Sequence, residues 1–183
     1  MNSPSLPNIR SLRTLSNAHK CAALDLLFEP SPEIHKTLIP VSEAAEYTSY
    51  NEFIESCRQA LVSMASQSTT TRPNETLLAI LGSHPRLGAK KVESAQSAAE
   101  QAKLGGGESE ALARLNRDYE QRFPGLRYVV FVNGRGREDI MRDMEARIAR
   151  GDFGKEVDAA LHAMCDIARD RAAKLPVQAA DHL

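Results

Sequence analysis

Apolar residues recur at steps of three and four positions over most of this chain, which leaves few folds other than packed helices. The clearest case is the last long stretch, whose apolar positions are Val157, Leu161, Met164, Ala168 and Leu175. Only residues 128–132, YVVFV, have the composition of a β-strand, and a single strand cannot form a sheet. We therefore predict an all-α, multi-helix bundle with one short extended segment near 128–132.

The length of the chain predicts one domain. With 183 residues the chain can bury a substantial core, and we expect a single helical domain over residues 1–183. Residues 1–15 contain two prolines and little periodicity, so we expect this N-terminal segment to be irregular.

The charge pattern argues against large polyanionic partners. A formal net charge of -1 gives no general attraction to nucleic acid or to an anionic membrane, so we expect a small-molecule partner. The sequence shows neither a signal segment nor an apolar run of roughly 18 residues, and we expect a cytoplasmic, non-secreted protein. The terminal Asp181-His182-Leu183 is a poor match to the peroxisomal S-K-L signal, because its first position is acidic.

The cysteines and histidines do not predict a disulfide framework or a metal site. Three cysteines are widely separated and odd in number, which is typical of reduced thiols. The five histidines have no ligand-like spacing. These residues are Cys21, Cys57 and Cys165, and His19, His35, His84, His162 and His182.

Residues 82–101 contain the candidate site. Pro85 restricts His84 to an extended conformation just after an apolar helical run, so the imidazole is predicted at a helix exit, where it can give or take a proton. Ser97, Glu100 and Gln101 lie at i, i+3 and i+4, which places a hydroxyl, a carboxylate and a carboxamide on one helix face. The structural alternative is that S-x-x-E only caps a helix and His84 is only a loop residue. The spacing alone leaves both interpretations open.

Two segments rich in glycine or arginine suggest anion binding, but neither predicts a phosphate site. The glycine run at 105–107 is not preceded by a strand or followed by the Lys-Ser/Thr pair of a phosphate loop. Residues 133–137, NGRGR, are followed at once by acidic residues, which favours a solvated helix start.

Arg171 falls on the apolar stripe of the last helix. An arginine at such a position needs partners for its guanidinium group. Either the side chain extends to the surface, or it projects into a cavity that holds an anion or a carboxylate.

Six ordered motifs together resemble the OHCU decarboxylase family, and the resemblance covers nearly the whole chain. They are F-E-P-S-P at 28–32, H-P-x-L-G at 84–88, S-x-x-E-Q at 97–101, L-N-x-x-Y-x-x-x-F at 115–123, G-R-x-x-x-D-I at 134–140, and I-A-x-x-R-x-x-x-L at 167–175. Any one of them could arise by chance, so only the ordered set is specific.

The resemblance implies a lyase of purine metabolism that converts 2-oxo-4-hydroxy-4-carboxy-5-ureidoimidazoline to (S)-allantoin in uric acid degradation. The ring imine of this substrate can accept the electron pair left by carbon dioxide. The resemblance therefore implies that no cofactor is needed. It also implies a homodimer.

By the same resemblance, His84 handles the proton of the substrate hydroxyl group. Glu100 orients the imidazole or binds ring and ureido N–H groups, and Arg171 binds a carboxylate or carbonyl oxygen. The implied substrate-binding residues are Pro85, Ser97, Gln101, Phe131, Val132 and Asn133.

The sequence departs from the family pattern at two places. Many members have arginine where Asn133 stands, and the segment between His84 and Ser97 is shorter than usual. The alternative function is a non-catalytic helical interaction domain, which predicts dispersed polar residues and a large exposed apolar patch. The enzyme interpretation requires His84, Glu100 and Arg171 to meet at one pocket.

Overall fold

The computed structural model describes residues 4–66, 74–88, 95–102 and 110–179. Over these ranges the chain forms helices and no sheet, which confirms the all-α prediction. A 3₁₀ helix, Ile9–Thr14, lies within the segment that was expected to be irregular. The α-helices are α1 (Asn17–Leu27), α2 (Pro32–Ala44), α3 (Tyr50–Ala65), α4 (Glu75–Leu81), α5 (Ala95–Ala102), α6 (Glu110–Arg122), α7 (Arg137–Arg150) and α8 (Phe153–Lys174). The glycine run at 105–107 and the terminal residues 181–183 lie outside the described ranges.

Local side chains define where these helices begin and end. Ser16, Ser31 and Ser49 precede α1, α2 and α3, and each hydroxyl oxygen accepts a hydrogen bond from a backbone N–H in the first turn. Gly151 ends α7 with a φ of 64°, a left-handed conformation that a residue with a Cβ rarely adopts. A Cβ atom at that position would also collide with the guanidinium of Arg122.

Helix α8 is the central element of the bundle. It packs against α3 and α1, and its apolar stripe is buried from Val157 to Ala168. Arg171 continues the same face and is only 3% exposed. Among the helices that the structure describes, none is both long and apolar enough to cross a membrane.

The extended segment that follows α6 runs into the core. Residues 126–132 adopt neither helix nor strand, and Tyr128, Val129 and Val130 are buried. The extended segment lies against the last turns of α8, where α5 and the turn after α4 also meet. Elsewhere, close to the ends of the described chain, Leu6 and Val177 form an isolated parallel bridge.

Candidate active site

The turn that carries His84 follows α4 and is held by side chains from outside the turn. Arg127 donates a 3.1 Å hydrogen bond to the carbonyl oxygen of His84. Asn116 of α6 donates a 3.0 Å bond to the carbonyl oxygen of Leu87. These bonds fix the backbone on both sides of Pro85.

Gln101 of α5 holds the same turn through both ends of its carboxamide. Its oxygen accepts a 2.8 Å hydrogen bond from the N–H of Gly88, and its nitrogen donates a 3.1 Å bond to the carbonyl oxygen of Arg86. A positive φ of 80° at Gly88 turns the chain at this point. The carboxamide of Gln101 therefore joins α5 to the turn in addition to lining the pocket described below.

His84 is 4% exposed, and its two ring nitrogens have different surroundings. Its Nδ1 lies 3.8 Å from Oε1 of Glu29, whereas Nε2 is buried and has no hydrogen-bond partner among the described residues. Burial, followed by the positive charge of Arg171, lowers the pKa of His84 to about 3. The imidazole is therefore neutral near pH 7, with one N–H and one free lone pair.

Arg171 is the centre of a buried network of charged groups. Its Nε and Nη2 atoms donate to the two oxygens of Glu100 at 2.8 and 2.9 Å, a two-pronged ion pair. Nη2 also lies 2.9 Å from Oε1 of Glu29 and from Oγ of Ser97, and Nη1 donates to the carbonyl oxygen of Phe28. Burial acts to lower the pKa of Arg171, but Glu100 and Glu29 outweigh it and keep the pKa above its ordinary value.

Ser97 connects α5 to this network. It lies inside α5 and not before it, and it is 4% exposed. Its hydroxyl donates to Glu29 while its oxygen accepts from Arg171. These contacts distinguish Ser97 from a serine that only caps the start of a helix.

Two adjoining cavities lie beside the network and share Glu100 as a wall residue. The smaller, about 50 Å³, is lined by the predicted residues His84, Pro85, Ser97, Glu100, Gln101 and Val132, together with apolar side chains. The larger, about 180 Å³, is lined by Glu100, Phe131, Val132 and Asn133, with Lys174 and Arg135 among its charged residues. Arg171 lies behind Glu100. The structure thus brings all nine predicted site residues to one region.

Asn133 and Gly134 form a tight turn at the edge of the larger cavity. Both have positive φ angles, 42° and 77°, and the N–H of Arg135 donates a 2.9 Å bond to the carbonyl oxygen of Val132. An Asn-Gly pair suits such a turn, which accounts for asparagine at this position. The Arg135 side chain donates to the carbonyl oxygen of Phe131 at 2.6 Å. Within the described ranges, the backbone N–H groups of Val132 and Asn133 have no hydrogen-bond partner.

Sequence reasoning did not identify Glu29 as part of the site. Glu29 follows α1, is 2% exposed, and lies within hydrogen-bond distance of Arg171, 142 residues further along the chain. The only sequence signal was its place in F-E-P-S-P, a motif that gives no role to the carboxylate. No group of three or more His, Cys, Asp or Glu residues in the described ranges could hold a metal ion.

Comparison with known proteins gives two matches. A family model described as OHCU decarboxylase matches residues 13–173. The chain is also 36% identical over 106 residues to the uric acid degradation bifunctional protein PucL of Bacillus subtilis (strain 168). That alignment covers 55% of this chain and 21% of PucL, so the match spans about a fifth of that relative.

Proposed function

Because the chain belongs to the OHCU decarboxylase family, we propose that it converts 2-oxo-4-hydroxy-4-carboxy-5-ureidoimidazoline to (S)-allantoin in uric acid degradation. The observation that carries the proposal is that His84 and Glu100 line one cavity, with Arg171 paired to Glu100 behind its wall and with Nε2 of the imidazole unpaired among the described residues. These residues are separated by 16 and 71 positions in the chain.

The reaction can be balanced without an external electron acceptor. The bond between the ring and the carboxylate carbon breaks, carbon dioxide leaves, and the electron pair moves into the adjacent ring imine, whose nitrogen takes up one proton from the solvent. The result is an enol-like intermediate. It becomes the ketone of allantoin when its hydroxyl group loses a proton and the neighbouring ring carbon gains one. Protonation on a single face gives the S product.

His84 is the residue that moves the hydroxyl proton in this scheme. Its Nε2 has no hydrogen-bond partner among the described residues, and in the tautomer that leaves this nitrogen unprotonated it can act as a general base. Burial and the charge of Arg171 lower its pKa to about 3, and the negative charge of a bound carboxylate substrate favours the imidazolium form. Substrate binding therefore strengthens this base at the moment when it is needed.

Glu100 and the 131–133 segment are the proposed substrate-binding groups. The Glu100 carboxylate is fixed by Arg171, yet its side chain remains 29% exposed at the wall between the cavities, where it can accept hydrogen bonds from ring or ureido N–H groups. The N–H groups of Val132 and Asn133, which have no hydrogen-bond partner within the described ranges, can donate to substrate oxygens. Arg171 itself donates to Glu100, Glu29, Ser97 and the Phe28 carbonyl, so its proposed role is to fix Glu100. A direct contact with substrate would require it to release one of these acceptors.

The alternative of a non-catalytic interaction domain finds little support. Among the described residues, the large hydrophobic side chains that are exposed are Val62 and Val177. These do not provide the broad apolar patch that such a domain would need. The convergence of the polar residues, in contrast, is what an enzyme requires.

The decisive test generates the unstable substrate in place and follows the product by circular dichroism. We expect (S)-allantoin to form faster than in a reaction without protein, and with an excess of one enantiomer. Racemic allantoin formed at the spontaneous rate would overturn the proposal.

We further propose that the reaction needs no cofactor and that the protein is a homodimer in the cytoplasm. Dialysis against a chelator should leave the rate unchanged, and activity restored only by added metal would contradict the first point. Light scattering on a size-exclusion column measures the mass in solution, for which the single chain gives 20.1 kDa. A mass of one chain would contradict the second.

A further inference from the structure

Glu29 is a buried carboxylate beside the candidate site. It lies between α1 and α2, is 2% exposed, and does not line either cavity of the site. Its Oε1 atom accepts hydrogen bonds from Arg171 at 2.9 Å and from the hydroxyl of Ser97. The same oxygen is 3.8 Å from Nδ1 of His84.

We infer that Glu29 is a positioning residue that holds the proton of the neutral His84 ring on Nδ1, so that Nε2 keeps the lone pair. The inference rests on the proposed function for its catalytic meaning. The physical reason is that a buried carboxylate oxygen attracts an N–H and repels a lone pair. Of the two neutral forms of the ring, the one with Nδ1–H facing Glu29 is therefore the lower in energy.

The other charged groups near the ring do not compete for Nδ1. Among the ion pairs of the described residues, the carboxylate that reaches the His84 ring is that of Glu29, and both oxygens of Glu100 are bound by Arg171. The guanidinium of Arg171 donates to Glu100, Glu29, Ser97 and the Phe28 carbonyl and not to the imidazole. The effect of Arg171 on His84 is electrostatic, because its positive charge disfavours a second proton on the ring. Glu29 thus selects the tautomer, while burial and Arg171 keep the ring neutral.

The separation of 3.8 Å is longer than a hydrogen bond, so Glu29 acts on Nδ1 through its negative charge. Catalytic hydrogen bonds are often long in the free enzyme and shorten in the complex. When Nε2 takes the hydroxyl proton, the ring becomes positive and its attraction to Glu29 increases. Glu29 would therefore stabilise the charged ring during proton transfer without touching the substrate.

The test uses ¹⁵N nuclear magnetic resonance of the 183-residue chain at neutral pH, without added substrate, with the His84 signals assigned by their absence from His84→Asn. We expect the nitrogen without a proton to be Nε2 in the wild-type protein. In Glu29→Gln, which keeps the acceptor shape but removes the charge, the preference should weaken. In Glu29→Met, which removes the acceptor, it should be lost. A lone pair on Nδ1 in the wild-type protein would overturn the inference.

Kinetics of the same variants provide a second readout. Glu29→Gln should lower kcat by about 10- to 100-fold with little change in KM, because Glu29 acts behind the imidazole and outside the cavities. Glu156→Gln is the matched control, since Glu156 is another buried, ion-paired glutamate. It should leave the tautomer and kcat unchanged. An active wild-type enzyme whose kcat is unaffected by Glu29→Gln contradicts the inference alone, whereas an inactive wild-type protein with the expected tautomer contradicts the proposed function alone.

Discussion

Helix α8 carries a buried charge near each end, and the two charges have opposite signs. Glu156, in the first turn, is 0% exposed, and Arg171, in the last turn, is 3% exposed. Each is bound by groups of the opposite charge from other parts of the chain. Burial and ion pairing are therefore common to both ends and do not explain why only one of them resembles a catalytic site.

In the cluster at Glu156, side chains from α6 and α7 bind the buried carboxylate. Glu156 accepts a 2.8 Å hydrogen bond from the hydroxyl of Tyr119 and a 2.5 Å bond from Arg150. The Tyr119 ring packs edge-on against Tyr128 with centroids 5.5 Å apart, and the guanidinium of Arg147 lies 4.9 Å from the Tyr128 ring centre. Burial and the negative charge of Glu156 raise the pKa of Tyr119 well above its usual range. These contacts join α6, α7 and α8.

The cluster at Arg171 differs because a polar atom beside it remains unpaired. Nε2 of His84 is buried without a partner in the described part of the chain, and cavities open next to Glu100. A buried polar atom without a hydrogen bond is unfavourable and normally avoided. The unpaired imidazole nitrogen is therefore a better indication of the site than the buried ion pair.

The largest expected effect follows from removing the charge of Arg171. Arg171→Met should lower the free energy of unfolding by about 3–5 kcal/mol, because the carboxylates of Glu29 and Glu100 would remain close together without their cation. Activity should be lost as well. Denaturant unfolding and allantoin formation on the same preparation measure both effects. Arg150→Met is the control at the other cluster, and it should have a smaller effect because Arg150 is 42% exposed. Wild-type stability in Arg171→Met would contradict the central role of this ion pair.

The second prediction separates chemistry from stability. His84→Asn should lower turnover by about 10²- to 10⁴-fold, because it removes the free Nε2 lone pair. The free energy of unfolding should change by no more than about 2 kcal/mol. His162→Asn, an exposed position on α8, provides the matched control. Normal turnover in His84→Asn would make the unpaired nitrogen a packing feature only.

At the other end of α8 we expect a loss of stability without a loss of turnover. Glu156→Gln should lower the free energy of unfolding by about 1–3 kcal/mol, because Arg147 and Arg150 lose their buried anion. Turnover per folded molecule should not change, since Glu156 lies outside the cavities at Glu100. Thermal unfolding together with active-site kinetics tests this. A loss of kcat equal to that of His84→Asn would show that the two clusters are not independent.

The smallest expected effect is a pH dependence between pH 7 and pH 5.5 that comes from His84 at the Arg171 end. His84 has a folded-state pKa of about 3, below its ordinary value of 6.5, so between these values the unfolded chain binds a proton that the folded protein does not. Stability should therefore fall as pH falls, by about 1.4 kcal/mol per pH unit at most from this group. Comparing wild type with His84→Asn in denaturant at pH 7 and pH 5.5 isolates the contribution. Equal losses in both proteins would contradict the lowered pKa.

The sequence predicted the helices well because their signals are local. Apolar spacing identified the buried stripe of α8, because this signal depends only on residues within one helix. The His84 turn and the α5 cluster were also recognised. The role of Glu29 was not, because its contacts with Arg171 and His84 depend on the packing of α1 against α8. The partners of Arg171 were not identified either. Its position on an apolar stripe shows that the guanidinium needs partners, but the packing of the helices decides which groups these are.

The hydrogen bond between Gly88 and Gln101 gives a way to observe how long the site stays assembled. The N–H of Gly88 donates to the carboxamide oxygen of Gln101, so its proton can exchange with solvent only after this hydrogen bond breaks. Exchange of that single proton therefore reports the opening of α5 from the turn. If α5 and the turn open as one cooperative unit, the Gly88 amide will exchange at the same rate as the hydrogen-bonded backbone amides of α5, and a substrate that bridges the two will slow both.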